Sequence, residues 1–569
     1  MVVGVVVLAV AWTGWTAYQV NRDLNAAVAD AETLRDALEA GDDPAMKTAL
    51  DDLADHSGSA ADRTDGVTWS ALTHLPGWGD DARGVALVSS VASDLAEDGV
   101  GPLIQVSDEL DSIVPGDARV DVAAVARLVG PVATGRAAFA HAAAELSAED
   151  PTTYDERLRS KYRELAEQVD DAAEVLGNAE TALEVLPTML GQDGPRNYLL
   201  VFQNNAEIRA TGGLPGAVSV VRVDGGKVEM TRQVAANTFG RTDAPVLPLT
   251  PAERETYTSI LGTFFLDANL QPDFPRAAEL WQARWQQVYP ERIDGVLSLD
   301  PVALSYVLGA TGSVSVGGVT LTEDNAVDEL LHQVYLRLPD PDDQDQWFRE
   351  VARTVFDRVS QGVEAPQDLI NALARGVDEH RIYVHDFDPS VDAALSGTAV
   401  AGELVTDPKA APQVGVYVND GTGAKMSYYL RYDVDVAATY CTDGVQGLTA
   451  HATFMSEAPE DSSSLPRYLT GGGLFGTKPG DQYILVHLYG PVGGTIRGLT
   501  LNGQPQQGTA NVVDQGREVA TVPLLLEPQQ KVDLTWRMRS GPGQDGDPEV
   551  SVTPSVVSGS SSSVVSSEC

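Results

Sequence analysis

The segment Gln203-Asn204-Asn205-Ala206-Glu207-Ile208-Arg209-Ala210-Thr211-Gly212-Gly213 concentrates the residue types that do chemistry. It follows an apolar run, 197–203, that reads as a buried strand. Loops at strand ends are where α/β folds keep their sites. The glycine pair permits a tight backbone with exposed N–H groups. Arg209 beside it has the planar fork that holds a carboxylate or phosphate through two hydrogen bonds. Arg209, Thr211 and Gly212 are therefore candidate ligand-binding residues. The segment is not a phosphate loop of the Lys-Ser/Thr kind, because the glycine spacing differs and no lysine follows. A structural alternative stands beside this reading: Arg209 pairs with Glu207 or another acid, and the glycines make a turn.

Two further clusters bear chemistry. Asp267 and Asn269, in the polar loop before Pro272-Asp273-Phe274-Pro275, carry oxygens suited to Mg²⁺. Asp273 is placed to cap the helix that begins near Pro275. Arg349 and Arg353 fall four apart on one helical face, with Arg358 beyond. They would make a cationic floor for a phosphate, or pair with Glu350, Asp357 or the acidic turn 340–345. That turn is not an EF-hand loop, since it lacks the central glycine and the closing glutamate. No Gly-x-Ser-x-Gly elbow, His-Glu-x-x-His helix or Cys–His nucleophile pair is present.

Composition narrows the class. The 569 residues carry 38 Lys plus Arg against 82 Asp plus Glu, a net charge of -44. Such a chain is repelled by nucleic-acid phosphates and by anionic lipid head groups, so nucleic-acid binding is excluded. An apolar fraction of 43% supports real cores. Only two cysteines occur, Cys441 and Cys569; one bridge and two free thiols are both open.

The elements that must position these residues fall into textures. Residues 1–21 carry no basic or acidic residue and match the length of one bilayer-spanning helix. They read as a transmembrane anchor, with a cleaved signal as the alternative. No basic residue precedes the run to set its direction, and export of the bulk of the chain, the default for a single N-terminal anchor, is the expectation. Residues 22–190 show three- and four-residue apolar steps, such as Leu24, Val28, Ala31, Leu34 and Leu38, and read as a helical stalk or bundle. Asp43 is placed to cap the helix that follows Gly41-Asp42-Asp43-Pro44. Residues 191–400 alternate strand and helix patterns and read as an α/β domain with a mixed sheet. A hairpin is expected around Asp224-Gly225-Gly226. Residues 411–555 show short strands between Gly- and Pro-containing turns, the pattern of a separate β-sandwich. Residues 556–569, mostly Ser and Val, read as a flexible tail.

The segments 197–204, 206–213, 272–275, 294–301 and 423–430 resemble the signature segments of the Domain of Unknown Function 4012 family. That family is bacterial, mainly actinobacterial, and often sits near polysaccharide biosynthesis genes. The order of elements is also similar to that of LytR-CpsA-Psr phosphotransferases, which move a glycan from a polyprenyl pyrophosphate carrier to the cell wall. Asp294-Gly295-Val296, Leu308-Gly309-Ala310-Thr311-Gly312 and the helix with Arg349 and Arg353 carry that likeness. The chain departs from it at 207–212, and its late arginines stand four rather than three apart. The resemblance implies an LytR-CpsA-Psr-like fold in a membrane-anchored, exported cell-envelope protein. Such a protein would bind or transfer a phosphorylated or polyprenyl-linked glycan, with Arg209, Arg349 and Arg353 on the phosphate and Mg²⁺ on Asp267 and Asn269. The second expectation is a non-enzymatic structural or interaction protein of the envelope. An apolar tunnel beneath converging arginines favours the first; paired arginines over a solid core favour the second.

Overall fold

The computed structural model describes residues 2–40, 42–110, 113, 118–362, 365–506, 512–559 and 562–569. The chain forms two compact units, one of Met1–Pro115 and Asp121–Thr188, the other of Gly116–Val120 and Met189–Cys569.

The first unit is helical. Its long elements are Val2–Ala40, Asp43–Thr64, Gly79–Asp94, Val122–Ser147 and Glu156–Met189. Asp42, not Asp43, caps the second helix, accepting from Ala45 N at 3.1 Å, because Pro44 must sit inside the first turn. Helices approach closely at small residues. A Cβ on Gly135 would lie 3.0 Å from the Gly99 carbonyl. Val91, Leu95, Ala142, Leu146, Tyr154, Tyr162 and Val169 form one apolar core there. Among the described residues one helix, Val122–Ser147, is long and apolar enough to cross a membrane. Its residues Val125, Leu128, Val132 and Leu146 are buried within the protein. The anchor expected over 1–21 begins the helix Val2–Ala40, and its first side chains lie outside the described residues. Further along, Trp12, Trp15 and Tyr18 are exposed while Val20 is buried.

The second unit holds three main sheets. β1 (Arg196–Arg209), β2 (Gly212–Asp224), β3 (Lys227–Ala235), β4 (Gly295–Leu299) and, later in the chain, β7 (Ile382–Asp386) make a mixed sheet in the order β3-β2-β1-β4-β7. β1 and β4 run parallel, pairing Tyr198 with Gly295 through Phe202 with Leu299. The glycine at 295 is required by close approach: a Cβ there would lie 2.7 Å from the Tyr198 ring. β2 and β3 form the expected hairpin, with Gly225 and Gly226 at positive φ. The helix Phe274–Val288 covers one face. Phe274, Trp281 and Trp285 pack on Leu199, Val201, Val218, Val220 and Val296. A short hairpin, β5 (Val314–Val316) and β6 (Val319–Leu321), packs with the helix Pro341–Ser360 in a second core.

The β-rich remainder holds two sheets. One has the order β13 (Gln504–Pro505), β12 (Thr495–Leu501), β16 (Lys531–Arg539), β10 (Val445–Ser456), β9 (Leu430–Thr442). The other has the order β14 (Val512–Asp514), β15 (Arg517–Leu526), β11 (Gln482–Val492), β8 (Gln413–Asp420), β17 (Glu549–Val552), β18 (Ser562–Val564). Alternate residues of both sheets meet in one core, among them Val416, Val418, Ile484, Val522, Phe454, Leu534 and Trp536.

Two expectations are corrected. The α/β and β-rich parts, expected as separate domains, belong to one compact unit, because buried polar contacts described below stitch β1 to β8. The stretch 556–569, expected as a flexible tail, is docked. β18 pairs with β17, and Cys569 is bridged to Cys441. Arg381, fully buried, donates to the carbonyls of Ser555 and Val557 at 2.8 and 2.6 Å and fixes the chain leading there. Serine-rich composition hides this, since a strand added at a sheet edge needs little apolar surface of its own.

Candidate functional site

The segment Gln203 to Gly213 is the end of β1 and its turn into β2. The pairing register jumps from Asn204↔Leu214 to Ile208↔Gly213, so residues 205–207 bulge out of the ladder. Asn204 Oδ1 accepts from Ala206 N at 3.0 Å and holds the bulge. Gly213 is required by this geometry: a Cβ there would lie 2.2 Å from the Asn204 backbone. The N–H of Gly213 donates to Gln203 Oε1 at 3.2 Å. The glycine pair thus serves the strand junction, and that donor is already engaged.

Arg209 is buried with its acid. Its Nη2 and Nε donate to Asp267 Oδ1 at 3.0 and 3.2 Å, and its Nη1 donates to the Ile208 carbonyl at 2.9 Å. The two side chains are 6% and 10% exposed. Burial pulls the Arg209 pKa down, and the carboxylates of Asp267, Asp420 and Glu207 more than offset that, so the guanidinium stays charged. Glu207, two residues earlier, is paired with buried Lys425. The Lys425 ammonium also lies 4.7 and 4.8 Å from the ring centres of Tyr335 and Tyr468. Burial opposes the Lys425 charge; Glu207 outweighs it and pushes the pKa up.

The rest of the segment is tied down in the same manner. Thr211 donates to Gln203 Oε1 at 2.8 Å. The Asn269 amide nitrogen lies within 2.8–3.0 Å of Gly213 O, Thr211 Oγ1 and Gln203 Oε1. Asn205 donates to Asp300 Oδ2 at 2.8 Å, and the same oxygen takes Arg381 Nη1 at 2.9 Å. Two strand-crossing bonds join this end of β1 to the β-rich part: Ala210 N to Asn419 Oδ1 at 3.0 Å, and Thr553 Oγ1 to Ala210 O at 3.0 Å.

Residues 193–335 match the family model described as "Protein of unknown function (DUF4012)". No curated protein and no solved structure matches the chain. The matched segment runs from the approach to β1 through Tyr335, so it contains Glu207, Arg209, Thr211, Asp267 and Asn269. Their partners Asp420 and Lys425 lie beyond it.

The expected site residues are therefore placed as follows. Arg209, Thr211 and Gly212 meet Asn269 and Asp267 in one buried polar junction. Asp267 and Asn269 do not fit Mg²⁺. The Asp267 carboxylate is already neutralised by Arg209, and a divalent ion there would sit against the guanidinium charge. Arg353 is exposed and Arg349 half-buried on the helix Pro341–Ser360, where the Arg349 carbonyl accepts from Gln233 Nε2 at 3.1 Å. Among the described residues no hydrogen bond or ion pair links either of them to Arg209. Asp273 stands at the N-cap position of Phe274–Val288, but its carboxylate faces Leu404 N and Gln515 Nε2 at 3.4 Å rather than the helix N–H groups. Sequence reasoning missed Lys425, Asp420 and Arg381. The one signal for Lys425 is a lone cation inside an otherwise uncharged stretch, 423–430.

Proposed function

We propose that this chain is a non-enzymatic structural or interaction protein of the cell envelope, held at the membrane by its first helix. The observation that carries the reading is the burial of Arg209 in an ion pair with Asp267. The arginine and the carboxylate that a phosphate-and-metal site would need are spent on each other. Around them, Glu207–Lys425 and the Asn419 bonds make the junction a joint between the mixed sheet and the β-rich part. We read the two β-rich sheets as a β-sandwich that this joint holds rigidly. Exposed Trp12, Trp15 and Tyr18 on the first helix suit the interface of a bilayer. The docked C-terminal segment and its disulfide suit an oxidising compartment outside the cell.

Binding or transfer of a phosphorylated or polyprenyl-linked glycan, with an LytR-CpsA-Psr-like fold, is the competing reading. Exposed Arg353 and half-buried Arg349 support it. Titration of a polyprenyl phosphate in detergent micelles against the full chain separates the two. No saturable binding is expected. Saturable binding by wild type that Arg349→Ala/Arg353→Ala abolishes would replace this proposal with the glycan reading.

A further inference from the structure

The two β-rich sheets have four edges, and the edges are unequal. Three end in short strands: β13 with 2 residues, β14 with 3 and β18 with 3. The fourth is β9, with 13 residues. β9 pairs with β10 along its whole length, and among the described residues nothing pairs with its other side. A long free edge presents a row of unpaired N–H and C=O groups, and proteins ordinarily shorten or cover such edges. Among the described residues three edges are short and one is long.

The faces of β9 are distinct. Tyr432, Val434, Val436 and Ala438 pack on the shared core. Asp433 and Asp435 stand on the opposite, exposed face. Arg431, on that same face, is already paired with Glu457 at 2.9 Å. Across the sheet, His451 and Lys531 lean on Asp533 at 3.4 and 3.6 Å. Asp433 and Asp435 have no ion-pair partner among the described residues. Beside the first half of β9 lies a cavity of about 320 Å³, with Val434, Val550, Val552 and Val557 on its apolar side and Asp433, Thr553, Ser555, Ser558 and Ser563 on its polar side. That is the low end of the range for specific pockets and is enough for one short side chain, which would meet the valines on the apolar side. The cation in its wall, Arg381, is neutralised by Asp300 and Glu379. The far end of β9 is fixed, because Cys441 is bridged to Cys569.

We infer that β9 is a docking edge for an extended segment of another polypeptide with Lys or Arg at alternate positions and an apolar residue between them. Backbone hydrogen bonds to the free edge supply the affinity. The basic side chains meet Asp433 and Asp435, and the apolar one enters the cavity. A second copy of this chain is the wrong occupant, since β9 against β9 would crowd the aspartates of both copies on one face. The inference rests on the interaction-protein reading, and it fails separately from it: Arg209 can prove a joint whether or not β9 binds anything.

The test uses the full chain in a nanodisc at physiological salt. The probe is a short peptide of alternating lysine and valine. A peptide of alternating lysine and proline is the control, with the same charge but with every second N–H removed and φ fixed at the prolines away from strand values. This control is necessary because a chain of net charge -44 attracts any polycation. The lysine–valine peptide should bind and slow hydrogen exchange in β9. Asp433→Lys/Asp435→Lys should weaken that binding by about tenfold or more. Asp51→Lys/Asp52→Lys, the same charge change on an exposed helical site, should leave it within about twofold. Equal binding of both peptides, protection outside β9, or no loss in the Asp433→Lys/Asp435→Lys variant would overturn the inference. So would dimers of the wild type that this variant dissociates.

Discussion

The end of β1 and the edge strand β9 carry charge in opposite ways. At the end of β1, Arg209 and Lys425 are buried and each has its acid, Asp267 and Glu207. On β9, Asp433 and Asp435 are exposed and make no ion pair among the described residues. The first set cannot be opened to a ligand without leaving a buried charge alone, which costs far more than a surface contact returns. The second set can take a cation at no cost to the fold. Residue type shows where chemistry is possible. Pairing decides whether the chemistry is spent on the fold or left for a partner.

The largest expected effect breaks or sharpens that contrast directly. Arg209→Ala leaves the Asp267 carboxylate buried without a cation and should lower stability by about 3–5 kcal/mol, read by urea denaturation. Asp433→Ala should stay within about 0.5 kcal/mol. Similar losses at the two sites would erase the distinction.

An intermediate effect is expected at the far end of β9. The Cys441–Cys569 bridge spans 128 residues of sequence. Cys441→Ser/Cys569→Ser should cost about 2–4 kcal/mol and speed hydrogen exchange in β17 and β18 before β10. Uniform acceleration across both sheets would mean that the bridge does not specifically hold the docked C-terminal segment.

The smallest effect is a pH slope. Burial pushes Asp273 up to about 6, only partly offset by hydrogen bonds from Gln515 and Leu404. An unfolded aspartate titrates near ~3.9. Between those values the folded chain holds a proton that the unfolded chain has lost. The stability this group contributes is full below the unfolded pKa and is lost as pH rises through about 6. Asp273→Asn should flatten that part of the stability–pH curve. An unchanged slope would assign it to another acid of the same unit.

Much of the mixed sheet was legible. The runs 198–202 and 295–299 are short, apolar and bounded by polar turns, and they pair as neighbours. The hairpin at Gly225-Gly226 was legible from two strand-like runs around a glycine turn. The role of Arg209 was not. Its acid lies 58 residues away, and the Asp420 carbonyl it also reaches is 211 residues away. A local window shows a cation beside two glycines and nothing of what closes over it. The C-terminal segment was misread for a similar reason: β18 exists because β17 offers an edge and Cys441 offers a tether, both remote in sequence. Asp42 displaced Asp43 as cap by one residue, a difference that only the position of Pro44 in the turn decides.

A double-mutant cycle on Arg209 and Asp267 tests the central claim most directly. Arg209→Met, Asp267→Leu and the double variant would be unfolded in urea beside the wild type. A joint predicts strong coupling: the double variant loses less than the sum of the singles, by about 1–3 kcal/mol. Losses that add to within about 0.5 kcal/mol, together with polyprenyl-phosphate binding that Arg209→Met removes, would contradict it and return Arg209 to a ligand.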